Sequence, residues 1–307
     1  MSSETLEKEE KKKRLSKEEE DDDRDDEDES NESDHEENGV SAHAKTTGPG
    51  EKVVIDRPSS VKMVWTIAKR EIGSYFHSPI TYTVISATLI VFGLWFFFYK
   101  GGFWQVDRAT MSRMFDFVPA ALCGVIGLFT MRSLSDEKRV GTIELLITMP
   151  VKDSEVILGK FIGSLTMVTT LLGLLVLYPL FMFTRSPFMH IGELDWYPYF
   201  VGMGGLFLMS CAAVAIGLMW SSFTESQILS YFATSLTLLV LYMIGSVTLV
   251  EYMSGRVGDA LSFVSLQSRF EPFARGIIDS RAIIYFLSLT ALCLMIAFRS
   301  LESRKWS

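Results

Sequence analysis

The feature that most constrains this chain is a succession of long stretches almost free of charge. The first runs from Ile80 to Tyr99, and the third fills the gap between Lys160 and Arg185. The second lies between Arg113 and Arg132 and holds one acid, Asp116, near its edge. The fourth lies between Asp195 and Glu225, the fifth between Glu225 and Glu251, and the sixth covers Ala282 to Phe298. A helix needs about 20 apolar residues to cross a bilayer, whose interior offers no water to an open backbone. Helices buried in a soluble core rarely stay uncharged this long, and here it recurs. The expected fold is an all-α polytopic membrane protein. Its six transmembrane helices fall at about 80–99, 114–131, 161–184, 197–220, 227–250 and 282–298. The sixth is the shortest, with Arg281 and Arg299 placed to snorkel at its ends.

Residues 1–60 are a different kind of polymer. Positions 1–38 carry 19 Asp/Glu against 7 Lys/Arg, a net of −12 in a chain whose total is −8, so the remainder is +4. So charged a segment buries too little apolar surface to offset its ordering entropy, and a disordered acidic tail and linker is expected. The basic run Lys11 to Arg14 is followed by acid rather than by an apolar stretch, which does not read as a signal peptide. From Val61 to His77 the pattern turns helical. Val61, Val64, Trp65, Ala68, Ile72, Tyr75 and Phe76 share one arc, and Lys62, Thr66, Lys69, Arg70, Gly73 and His77 share the opposite one. That pattern predicts an amphipathic helix lying in the membrane interface, stopped by Pro79.

Six spans put both termini on one side. The loops on that side, with the flanking termini, hold 13 near-membrane cations, among them Lys69, Arg70, Arg132, Lys138, Arg139, Lys152 and Lys160, against 8 on the other. The excess predicts cytoplasmic N- and C-termini.

Catalytic apparatus is missing from the pattern. No phosphate-binding loop, zinc-protease helix motif, nucleophile elbow or pair of intramembrane carboxylates is present. The histidines His35, His43, His77 and His190 share no helical face, and Cys123, Cys211 and Cys293 sit singly in apolar runs. No cofactor, metal or nucleic-acid site is expected, and Asp116 reads as an interface residue or a substrate contact. Two connections are richer than their surroundings. The loop 132–160 interleaves Val140, Ile143, Leu145 and Leu146 with Asp136, Glu137, Lys138, Arg139 and Glu144, punctuated by Gly141, Thr142 and Pro150. It suits a short helix with one face on the membrane base and the other on a soluble partner, or a plain solvated connection. The loop 251–281, with Arg269, Phe270, Glu271, Pro272, Phe273, Gly276 and Asp279, is too long for a simple connection. It reads as a re-entrant or interfacial lid, or as packing against the span ends.

The order of interfacial helix, two spans, charged loop and four spans resembles the permease subunit of ABC-2 type transporters, over about residues 61–306. The run Asp136 to Leu146, with Pro150-Val151 and Gly159-Lys160, is similar to that family's coupling segment, and Trp65 to Pro79 to its connecting helix. Arg269 to Asp279 and Leu301 to Trp306 are similar to the gliding-motility-associated branch, near the permeases of copper-site maturation clusters. The resemblance implies coupling to an ATPase through Asp136, Glu137, Arg139, Gly141, Thr142, Glu144 and Pro150. It implies an interfacial helix acting through Trp65, Lys69, Arg70 and Glu71, and an extracytoplasmic loop built on Arg269, Glu271, Gly276 and Asp279. It further implies an exporter in the bacterial inner membrane, with a separate ABC ATP-binding subunit, a second permease copy or related subunit, and membrane lipids as partners. The alternatives are a non-transporting anchor of a motility or envelope complex and an intramembrane enzyme. The apolar, aromatic span interiors name no substrate.

Overall fold

The computed structural model describes residues 59–98, 112–141, 152–179, 195–245 and 255–303. The chain divides between Arg57 and Pro58, and every described residue belongs to the second unit. The acidic tail, together with Thr142, Glu144 and Pro150 of the 132–160 segment, lies outside the described residues.

The described residues are helical, with no strand among them. In chain order the helices are α1 (Ser60–Phe76), α2 (Pro79–Phe98), α3 (Ser112–Thr130), α4 (Ser135–Val140) and α5 (Asp153–Leu175). They continue as α6 (Trp196–Phe223), α7 (Gln227–Met243), α8 (Arg256–Val264), α9 (Leu266–Ala274) and α10 (Ser280–Ser303). Pro79 opens α2 and restricts Ser78, so α1 ends at His77, whose N–H and ring Nδ1 both meet the Gly73 carbonyl. Among the described residues, five stretches are long and apolar enough to cross a membrane: Pro79–Phe96, Met114–Val140, Asp153–Pro179, Trp196–Phe223 and Ser280–Ser303. The fifth apolar run of the sequence gives the shorter helix α7, 17 residues long. At 1.5 Å per residue it spans ~25 Å, under the ~30 Å of a hydrocarbon core.

The bundle is organised around α6. Its residues Ser210 to Leu218 are all buried, and it packs against α3, α5, α7, α9 and α10. Small residues make this possible, because backbones close up only where side chains are short. A Cβ on Gly202 would lie 2.4 Å from the Phe115 ring, and one on Gly217 would lie 2.2 Å from Thr130 Oγ1. The second close pairing is α1 on α5. Gly159 and Gly163, one turn apart, receive Ile67 and Glu71, whose atoms would stand 2.6 Å and 2.8 Å from a Cβ there.

The amphipathic pattern of 61–77 does form a helix, and its apolar arc divides. Ala68, Ile72 and Tyr75 pack against the bundle, whereas Val61 and Trp65 are exposed on the isolated chain, Trp65 at 61%. Asp116 is exposed in the second turn of α3.

Candidate functional site

The richest polar constellation gathers where α1, the end of α3, α4 and the start of α5 meet. Lys160 stands in the second turn of α5, three residues before Gly163, on the face that α1 covers. It is 2% exposed. Its Nζ donates to the Ser133 carbonyl at 2.6 Å, and it lies 2.8 Å from Glu137 Oε1 and 3.5 Å from Glu71 Oε1. Glu137 also takes the exposed guanidinium of Arg70 at 3.8 Å. One buried ammonium therefore joins two carboxylates from different helices and a turn carbonyl. Such a charge is tolerated away from water only with partners of this quality.

Tyr75 supports the same junction. Its hydroxyl donates to the Phe129 carbonyl at 2.8 Å and lies 3.3 Å from Ser164 Oγ. Burial, reinforced by the neighbouring Glu71 carboxylate, pushes the phenol well above its usual range, so it stays a neutral donor.

The six-residue helix α4 is held from below by α6. The N–H groups of Leu134 and Ser135 both donate to Ser221 Oγ at 3.0 Å, which supplies from another helix the cap that Leu134 lacks. Lys138 Nζ donates to the Ser222 carbonyl, and Ser300 Oγ of α10 reaches the same oxygen at 3.1 Å. Asp136 accepts from the Gln227 side-chain amide at the start of α7. Gly141, with φ +76°, ends α4 in the left-handed conformation that only glycine adopts freely. The outer face of α4 is different. Arg139 is exposed and Val140 is 73% exposed.

At the other end of the bundle, α8 and α9 cover the end of α7. Ser265 Oγ and Ser268 Oγ donate to the carbonyls of Tyr242 and Gly245 at 3.4 and 3.3 Å, meeting acceptors that a helix end leaves open. Leu266, Phe270 and Phe273 are buried, so α9 is packing as well as cover. Arg269 sets its guanidinium 4.3 Å from the Phe263 ring centre, donates to the Phe263 carbonyl and faces the Tyr285 ring. Glu271 pairs with Arg275, Gly276 turns at φ +81° against Pro198, and Asp279 accepts from the Arg281 N–H at the head of α10.

Of the residues singled out from sequence, Glu71, Arg70, Asp136 and Glu137 thus converge, and Arg139 and Gly141 border them. Trp65 and Lys69 are exposed on α1 away from the ion centre, and Arg269, Glu271, Gly276 and Asp279 belong to the opposite end. Two participants were not named as site residues from the sequence: Lys160, read as the end of the coupling-like segment where the third span begins, and Tyr75, read as an aromatic on the apolar arc of the interfacial helix. The signal for both was the pair Gly159 and Gly163, whose four-residue spacing marks a close helix crossing.

A family model described as an ABC-2 family transporter protein matches residues 105–299, which leaves α1 and α2 ahead of the matched region. No curated protein matches the chain.

Proposed function

Because the chain belongs to the ABC-2 family of transporter proteins, we propose that it is the permease subunit of an exporter driven by a separate ATP-binding subunit. In this reading α7 completes a set of six spans, α1 lies in the cytoplasmic interface of a bacterial inner membrane, and both termini are cytoplasmic. Two such six-span halves, identical or related, would form the pathway, since a two-fold pore needs two. The sequence resemblance to the gliding-motility-associated and copper-site maturation branch belongs to the same reading, without a substrate drawn from it.

The observation that carries the reading is the Lys160 ion centre. It ties α4, the element with an exposed outer face, to both α1 and the first turns of α5. A partner pressing on Arg139 and Val140 would move a membrane helix directly through this junction. The soluble partner would dock on that outer face, and Asp136 and Glu137 would hold the inner one.

A photo-crosslinking residue at Val140 in the full chain tests this in membranes. The expected adduct is an ATP-binding protein that carries a phosphate-binding loop. Adducts confined to lipid or to a second copy of this chain would remove α4 from any role in coupling.

A further inference from the structure

The ion centre forms part of the wall of a cavity of about 350 Å³, bounded by α1, the start of α2, the end of α3 with the turn that follows it, α4, and Lys160 of α5. Its lining changes character along its length. Arg132, Ser133 and Asp136 lie beyond the end of α3, whereas Leu128 sits in the last turn of α3, Ile80 in the first turn of α2 and Val84 in its second. Position along the helices therefore sets a polar end at the membrane base and an apolar limb running into the span region.

The polar end is incompletely used. Arg132 Nε and Ser133 Oγ are buried and have no hydrogen-bond partner among the described residues. A guanidinium N–H left unmet away from water is costly, so such an atom points to a missing acceptor. The charges around it are selective. Lys160 is taken up by Glu71 and Glu137. The other charges in the lining are one cation, Arg132, and one carboxylate, Asp136, whose partner is the neutral amide of Gln227, so that three carboxylates face two cations in all. A purely anionic ligand would satisfy the first and be repelled by the second. A ligand with a phosphate and an amine a few bonds apart meets both.

We propose that this cavity is a phospholipid site for a headgroup of phosphate and primary amine, as in phosphatidylethanolamine. The phosphate is held by Arg132 and Ser133, the amine faces Asp136, and an acyl chain leaves along Val84, Leu128 and Ile80. The inference rests on the membrane location of the chain and not on its coupling to an ATPase.

The test uses the full chain purified in mild detergent from membranes holding both phosphatidylethanolamine and phosphatidylglycerol, with retained lipid read by native mass spectrometry. Wild type is expected to retain phospholipid enriched in phosphatidylethanolamine. Arg132→Gln, which removes the charge-assisted bonds, is expected to lower the retained lipid about 10-fold. Val84→Trp fills the apolar limb without touching a charge and is expected to lower it similarly, so the site is probed even where Arg132→Gln fails to fold. Asp136→Asn should keep the lipid and lose the preference for phosphatidylethanolamine. Wild-type retention in well-folded Arg132→Gln and Val84→Trp proteins would overturn the proposal. So would displacement of the lipid by inorganic phosphate, which marks a simple anion site. A rise in retained lipid on deleting residues 1–50 would make the acidic tail the occupant instead.

Discussion

A single ammonium group sets the energetics of the membrane base. Lys160 is buried between Glu71 and Glu137, while Arg70, the other cation on Glu137, stays exposed. Removing one member of a buried ion group costs ~3–5 kcal/mol, because the charges left behind lose their compensation. An exposed partner contributes under ~1 kcal/mol. Lys160→Met should therefore lower the melting temperature of the purified chain far more than Arg70→Ala. Equal shifts would mean that water reaches the centre and screens it. Glu137→Ala should leave the protein inserted and weaken the coupling of ATP hydrolysis to transport in the assembled complex, and Glu4→Ala in the tail should be silent. Unaltered substrate-stimulated hydrolysis and transport in the Glu137 variant would take this residue out of the mechanism. Glu137 was legible as a charged member of the 132–160 segment, but the sequence left open whether it meets a soluble partner or the cations Lys69 and Arg70 of α1. Lys160 was legible only as the end of the coupling-like segment; its burial between two carboxylates was not, because the sequence does not show that α1 covers it.

Among the elements, α1 shows how a pattern can yield the right helix and half of its environment. Periodicity separates apolar from polar positions, but it does not say which apolar residues meet protein and which are left to other surroundings. The glycines of α5 decide that, because they admit Ile67 and Glu71 at van der Waals range. Gly163→Val would drive its side chain into Glu71, and overpacking of this kind costs ~1–3 kcal/mol. The expected result is an α1 that protease reaches earlier in mild detergent, with the rest of the bundle intact. Protection equal to wild type would show that α1 is held elsewhere. The connection 251–281 was legible as long for a plain connection, and over the described residues it forms α8 and α9. Their specific duty was invisible, since it depends on where α7 stops. Ser265→Ala should leave the Tyr242 carbonyl open and raise amide exchange at the end of α7, at a cost of ~1–3 kcal/mol. Exchange unchanged there would assign the cap to other groups.

For the whole molecule, the apolar runs carried most of the architecture, because the bilayer leaves few ways to bury a backbone. The order of packing around α6 was less visible, since contact between helices depends on which faces carry small residues rather than on mean hydropathy. The proposed orientation is tested by cysteine labelling: a probe at positions 136–140 should react only after membranes are opened. Labelling from outside intact cells would reverse the topology. The position of α6 also bears on biogenesis. This helix packs against α10, and the Ser222 carbonyl near its end is met by Lys138 of α4 and by Ser300 of α10. A ribosome delivers those partners far apart in time. Until α10 emerges, the face of α6 that it covers is bare. The interval between its insertion and the arrival of α10 is therefore when the nascent protein depends most on insertion factors, and when membrane proteases have a face to recognise.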